Sequence, residues 1–336
     1  MPAAIDRRCL VAIAPNATST INVASANLNT HARLSLDSLA PKRDWTDYVA
    51  GVAAVLRAAG VRVQGCNLLI DSDVPIGAGV SSSAALEVAL ARAFTTLAHH
   101  ETDGPTIARW AQAAENDFVG MPCGIMDQFA SANSVADSAL LLDCGTLEAE
   151  PLPLPKDHAF LLINSMVRHA HTTGEYRRRR EECEYAARAL HVSQLRDVTE
   201  DMLAAALSKL PEGPARRCRH VVTEIARVRA CAGHLRAGDI AAVGHAMNAS
   251  HASLRDDMQV SVEQLDALAA MAQETPGVVG ARMMGGGFGG CVLALVQTEA
   301  VERVRRDLVT RYGRHIGETP DAFICRAVGG AGEVAL

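Results

Sequence analysis

A short segment rich in glycine and serine carries the clearest chemical signal in the chain. Val74-Pro75-Ile76-Gly77-Ala78-Gly79-Val80-Ser81-Ser82-Ser83-Ala84-Ala85-Leu86-Glu87 follows an apolar run and opens an Ala- and Leu-rich stretch, the pattern of a strand turning into a helix. Gly77 and Gly79 let the backbone bend tightly and approach a ligand. A helix start offers unpaired amides and the positive end of the helix dipole, which together favour an anion. Ser81, Ser82 and Ser83 add hydroxyl donors, and one of them could ligate a magnesium ion. A plain serine cap after a glycine turn would need one of each; two spaced glycines and three serines point to phosphate. The segment is not a Walker A loop, GxxxxGK[ST], because it has no lysine. The whole chain has only Lys42, Lys156 and Lys209, none of them in a motif. Amides, hydroxyls and a metal would have to carry the phosphate charge.

Asp127 stands in Gly120-Met121-Pro122-Cys123-Gly124-Ile125-Met126-Asp127-Gln128-Phe129. Taken alone it reads as a first-turn helix aspartate. Glu115 lies on a predicted helix whose other face is apolar, and alone it reads as solvent-exposed. Trp45 and Tyr48 are three apart, on one helix face, and alone read as packing aromatics. Arg177 to Arg180 precede Glu181, Glu182 and Glu184, so the run reads as ion pairs four residues apart on a solvated helix, not as a nucleic-acid contact. The loop Gly285 to Gly290 implies close backbone approach.

These residues need a mixed α/β frame. Strands are predicted at Cys9–Ala14, Gly65–Asp71 and Leu140–Leu142, and helices at Asp44–Ala59, Ser82–Leu97 and Thr106–Val119. Pro151-Leu152-Pro153-Leu154-Pro155 reads as a connector, which divides the chain into lobes 1–150 and 151–336. Beyond it come a strand at Ala159–Asn164, a charged helix at Gly174–Leu190 and an almost wholly helical span from Thr199 to Met271. Strands at Val278–Met283, Cys291–Val296 and Ala322–Ala327 follow, with a helix at Val301–Tyr312. There is no repeat at a solenoid period.

The 336 residues suit about two domains. A 49% hydrophobic, 21% charged composition excludes a wholly disordered chain. Thirty-two basic and 38 acidic residues give a net charge of −6, against a dedicated nucleic-acid binder. No run of apolar residues is long enough to span a membrane, and Met1 to Arg8 lacks the order of a signal peptide. Nine scattered cysteines without a CxxC pattern, such as Cys144 after Leu141-Leu142-Asp143, read as reduced, mostly buried thiols of a cytoplasmic protein. No nucleic-acid and no membrane partner is expected, and the expected state is a monomer.

Pro75 to Ala85 resembles the phosphate loop of the galactokinase, homoserine kinase, mevalonate kinase and phosphomevalonate kinase superfamily. Gly120 to Phe129 is similar to the catalytic segment of the galactokinase family. Asn164-Ser165-Met166-Val167-Arg168-His169, Gly174-Glu175-Tyr176, Ser250 to Asp257 and Arg282 to Cys291 are similar to further segments of that family, in the same order. The resemblance runs from Pro2 to about Arg326. It implies an α+β two-lobed fold, with a ribosomal-protein-S5-like N-terminal lobe, a C-terminal α+β lobe and the active site between them. It implies ATP-dependent phosphorylation of the anomeric hydroxyl of D-galactose. Asp127 would act at that hydroxyl, with Gly124 and Tyr176 on the sugar. Trp45, Tyr48, Pro75, Gly77, Gly79, Ser81, Ser82, Ser83 and Arg168 would line ATP, and Ser83 with Glu115 would bind Mg2+. Met284 departs from the family's threonine and cannot supply a hydroxyl.

The family's upstream pattern GRVNLIGEHTDYN, which brings an arginine near the catalytic aspartate and a sugar-gripping Glu-His-x-Asp cluster, is not in this sequence. The sequence therefore carries three expectations. It is a galactokinase whose true start lies upstream, or a fragment of one, impaired as it stands. Or it is a related kinase for arabinose or an N-acetylated hexosamine. Or it is a non-catalytic sensor of sugar and nucleotide.

Overall fold

Alternation of apolar and polar residues builds the first sheet. A two-residue strand, Ala4–Ile5 (β1), precedes Cys9–Pro15 (β2), Thr20–Ser25 (β3) and Thr30–Ser35 (β4); after a helix at Thr46–Ala58 (α1) comes Cys66–Ser72 (β5). The order is β2-β5-β3-β4, with β3 and β5 parallel and the other pairs antiparallel. Ile21 and Val23 lie opposite Cys66 and Leu68, so one face of the sheet is apolar and buried. α1 and the helices Ser82–Leu97 (α2), Gly104–Ala113 (α3) and Met126–Asn133 (α4) cover that face. They bury Val49, Leu56, Val88, Phe94, Ile107 and Phe129. The computed structural model describes residues 1–167 and 172–334, which divide into two compact units.

Ser138–Leu142 (β6) and Ala149–Pro153 (β7) form an antiparallel pair in this first unit. The Pro151-Leu152-Pro153 stretch is thus an edge strand where a connector is expected. On an edge, a proline can turn its missing N–H away from the partner, and Leu152 between the two prolines is buried. The unit ends at Pro153.

The second unit holds a sheet of His158–Asn164 (β8), Val278–Met283 (β9), Cys291–Gln297 (β10) and Ala322–Cys325 (β11), in the antiparallel order β11-β8-β10-β9. Its helices are Thr172–Ala189 (α5), Glu200–Ala206 (α6), Glu212–Ala237 (α7), Ile240–Ser253 (α8), Glu263–Gln273 (α9) and Val301–Ile316 (α10). Leu161 and Ile163 of β8 share a core with Leu265, Leu268, Val304, Leu308 and Tyr312. The helical span expected from Thr199 to Met271 breaks after a π-helical turn at Leu254–Met258. The last strand, Ala327–Val328 (β12), pairs with β1. Gly330 N and Ala331 N donate to Ser134 O (2.7 Å) and Ser131 O (2.8 Å). The chain from Arg326 onward therefore belongs to the first unit, whereas the sequence places it in the second lobe. Gly77–Val80 in turn belong to the second unit.

Two surface readings change. Arg178 and Arg180 pair with Glu182 (3.2 Å) and Glu184 (3.0 Å), as a solvated helix requires. Arg179 instead turns inward, where Nε donates to Met258 O (2.9 Å) and Nη2 to Gln259 O (3.0 Å), carbonyls that the end of the π turn leaves over. Among the cysteines, Cys66, Cys218, Cys231, Cys291 and Cys325 are buried, but Cys144 is exposed, because the apolar strand ends at Leu142 and the chain turns outward. No described helix is long and apolar enough to cross a membrane.

Candidate active site

The phosphate-loop geometry starts from three left-handed residues. Gly77 and Gly79 have φ of +76° and +72°, and between them and α2 Ser81 also adopts φ +59°. For serine this conformation is uncommon and costs energy. Ser81 occupies the N-cap position of α2, yet its side chain makes no capping bond. Its Oγ donates instead to Asp127 Oδ2 in the first turn of α4. Ala85 N is bonded to Ser81 O at 3.1 Å. The amides of Ser82, Ser83 and Ala84 precede it at a helix start whose first turn carries no acidic residue. Helix starts of this kind attract anions. Half-buried Pro75 leads into the loop, and Gly77 and Gly79 are exposed.

One turn along α2 from Ser83, on the same face, lies Glu87, which is wholly buried (0% exposed). Gln128 Nε2 donates to Glu115 Oε2 (2.6 Å) and, at longer range, to Glu87 Oε2 (3.3 Å). The Cys123 thiol donates to Glu115 Oε2 at 3.3 Å. Gln112 Nε2 and Asn116 Nδ2 hold Cys123 O at 3.2 and 3.3 Å. Glu115 sits in a π-helical turn, Ala114–Val119, that widens the end of α3; such turns recur at functional sites. Burial first, and then the Glu115 carboxylate, hold the Glu87 carboxyl protonated up to about 9. The same two causes push the Cys123 thiol up to about 12. Burial, and then the charges of Glu115 and Glu87, raise the Tyr48 phenol. Glu87 Oε1 and Gln128 Oε1 are buried and have no partner among the described residues.

The structure thus brings Ser81 to Asp127 and places Tyr48 in the field of Glu115. Trp45 packs half-buried against the first core at the start of α1. Gly124 is exposed, and a Cβ built on it would meet nothing within 4 Å. Arg168 and the Tyr176 side chain lie outside the described residues. In the second unit, the Arg282–Cys291 segment ends β9 and opens β10. His251 Nδ1 accepts from Met283 N at 3.2 Å, with Asp266 3.3 Å from its Nε2.

The GHMP kinases N terminal domain model matches residues 47–134, and the GHMP kinases C terminal model matches residues 231–315. The chain is 44% identical to a galactokinase of Roseiflexus sp. (strain RS-1), over 99% of this chain and 87% of that protein. The chain belongs to the galactokinase family. Its fold matches that of Lactococcus lactis galactokinase, solved with galactose, at TM-score 0.95 and 30% identity over 99% of this chain and 88% of that one. A mevalonate kinase from Methanococcus jannaschii shares the fold at TM-score 0.64 and 17% identity, over 97% and 90% of the two chains. As a member of this family the chain is a kinase with a hydroxyl acceptor and ATP as co-substrate.

The oxygen donors that the sequence assigns to magnesium are few. Among the described residues no group of three or more His, Cys, Asp or Glu could cage a metal. Ser83 and Glu115 would supply two oxygens, which suits a cation that takes its other ligands from phosphate and water. Two residues of the site, Glu87 and Gln128, carry no role in the sequence reading. The signal was present for Glu87: it falls at the buried spacing of Ala84, Val88 and Ala91.

The Glu87 proton gives a pH signature. Between about 4.5, its ordinary value, and about 9, the folded chain holds a proton that the unfolded chain has released. Stability therefore falls as pH rises through that window. Glu87→Gln mimics the protonated group and removes the slope. The melting temperature of the variant relative to the parent is expected to climb steadily from pH 5 to pH 8.5; a constant difference across that range would mean that Glu87 is not the buried acid.

Proposed function

We propose that this chain transfers the γ-phosphoryl group of ATP to the anomeric hydroxyl of D-galactose, giving galactose 1-phosphate and ADP. The observation that carries this reading is the hydrogen bond from Ser81, in the phosphate loop, to Asp127, in the segment similar to the family's catalytic one. It joins a candidate anion site to a carboxylate suited to a reacting hydroxyl. The relatives named galactokinase supply the sugar.

In this reading the amides of Ser82, Ser83 and Ala84 and the positive end of α2 bind the phosphate oxygens. Asp127 Oδ1 and Oδ2 orient the sugar hydroxyl and accept its proton as the O–P bond forms and the β,γ-bridging oxygen leaves with ADP. The Ser81 hydroxyl fixes the carboxylate's rotamer, which keeps the acceptor in line with the phosphoryl group. Gly124, with open space in front of it, admits the sugar. Trp45, Tyr48, Pro75, Gly77, Gly79 and Arg168 would line ATP, and Tyr176 would face the hexose. Ser83 and Glu115 would hold Mg2+, which would neutralise charge on the phosphates.

Two outcomes are expected in a coupled ADP-release assay with galactose, arabinose and N-acetylgalactosamine as acceptors. Asp127→Asn lowers kcat on galactose by about 10²–10⁴-fold, the usual worth of general base catalysis. Glu115→Gln raises the magnesium concentration needed for half-maximal rate. Equal turnover by parent and Asp127→Asn would remove the carboxylate from the reaction, and turnover on arabinose or N-acetylgalactosamine but not on galactose would replace the sugar.

A further inference from the structure

The loop Gly285–Gly290 packs backbone to backbone against the glycine turn ahead of Ser81. A Cβ on Gly290 would lie 3.3 Å from Ala78 O and 3.5 Å from Gly79 Cα, and one on Gly285 would lie 3.1 Å from Gly79 O. Both glycines also have positive φ, +81° and +75°. The contact leaves no slack, so whatever fixes Gly290 also fixes Ala78 and Gly79.

Gly290 is fixed from behind. Its carbonyl accepts from Ser165 N at 2.8 Å, and the Ser165 carbonyl accepts from the Tyr312 hydroxyl at 2.9 Å. Tyr312, on α10, is 0% exposed, and Ser165 is buried with it. The next residue, Met166, has φ +60°, a conformation that needs external support. Asn164 Oδ1 accepts from Met166 N at 2.9 Å, and Ser165 Oγ accepts from Val167 N at 3.4 Å. The phenol comes from outside the segment, 147 residues along the chain. A tyrosine buried only for packing needs no hydroxyl; this hydroxyl donates to the carbonyl of buried Ser165.

We propose that Tyr312 is a positioning residue for the nucleotide, holding the Ala78–Gly79 turn through Ser165 and Gly290. Removing its hydroxyl frees the Ser165 peptide to turn, loosens Gly290 and widens the seat of the turn that presents Ser81–Ser83. The inference rests on the reading that this loop binds nucleotide phosphate.

The test compares the full-length parent with Tyr312→Phe and Gly290→Ala at a temperature well below either melting point. ADP binding is measured by calorimetry, and KM for ATP, KM for galactose and kcat by the coupled assay. For Tyr312→Phe the ADP Kd and the KM for ATP are expected to rise about fivefold to tenfold, the worth of one buried hydrogen bond, with KM for galactose within about twofold. Gly290→Ala, which leaves Tyr312 intact, is expected to give the same split more strongly. It also keeps the proposal testable if the tyrosine variant does not fold. A fall in melting temperature with ADP affinity and KM for ATP unchanged in both variants would reduce Tyr312 to packing and overturn the proposal. So would a rise confined to KM for galactose. Parental turnover on galactose tests the functional reading separately, since the ratio of ADP affinities does not depend on it.

Discussion

The candidate site depends on one serine that does not cap its helix. A serine at the N-cap of α2 would ordinarily turn its oxygen onto a backbone amide of the first turn. Ser81 is held in the left-handed region, its hydroxyl goes to Asp127, and the first-turn amides keep their donors. The cost of the strained backbone and the lost cap is the condition for an anion site and a carboxylate to share one hydrogen bond. Everything nearby serves that arrangement: glycines at Gly77 and Gly79 make the turn, α4 carries Asp127 in its first turn, and the next residue, Gln128, reaches back to Glu115.

Charge in this corner is managed without lysine. Burial, and then the neighbouring Glu115 carboxylate, leave Glu87 carrying a proton. Glu115 is then the carboxylate that an amide and a thiol orient. A lysine would neutralise phosphate charge directly; in the proposed function helix amides, hydroxyls and a cation held by few protein oxygens would take that task. The three lysines of the chain lie outside the motifs.

Most of the frame was legible in the sequence, because long periodic runs announce themselves. The α2 boundaries at Ser82 and Leu97 and the β9 boundaries at Val278 and Met283 fall where the pattern puts them. The strands Thr20–Ser25 and Thr30–Ser35 were not seen, since each is short and rich in polar residues on its outer face. Pro151 and Pro153 hid an edge strand, and only its ladder to β6 reveals it. The return of the C-terminal segment to β1 is a pairing of two residues with two, too short to leave a pattern. Of the site, the candidates Ser81, Asp127, Glu115 and Tyr48 were visible by residue type and resemblance. What joins them was not: the turn of the Ser81 hydroxyl to Asp127 and the reach of Gln128 to Glu115 are contacts distant in sequence.

Coupling between Ser81 and Asp127 is the most direct measure of the account, through a double-mutant cycle in kcat for galactose phosphorylation with Ser81→Ala, Asp127→Asn and the pair. If the hydroxyl acts by fixing the carboxylate, the double variant is no slower than Asp127→Asn alone, because the partner of the hydrogen bond has already lost its function. If the two losses multiply, Ser81 and Asp127 act independently, and the hydrogen bond between them is not what organises the site.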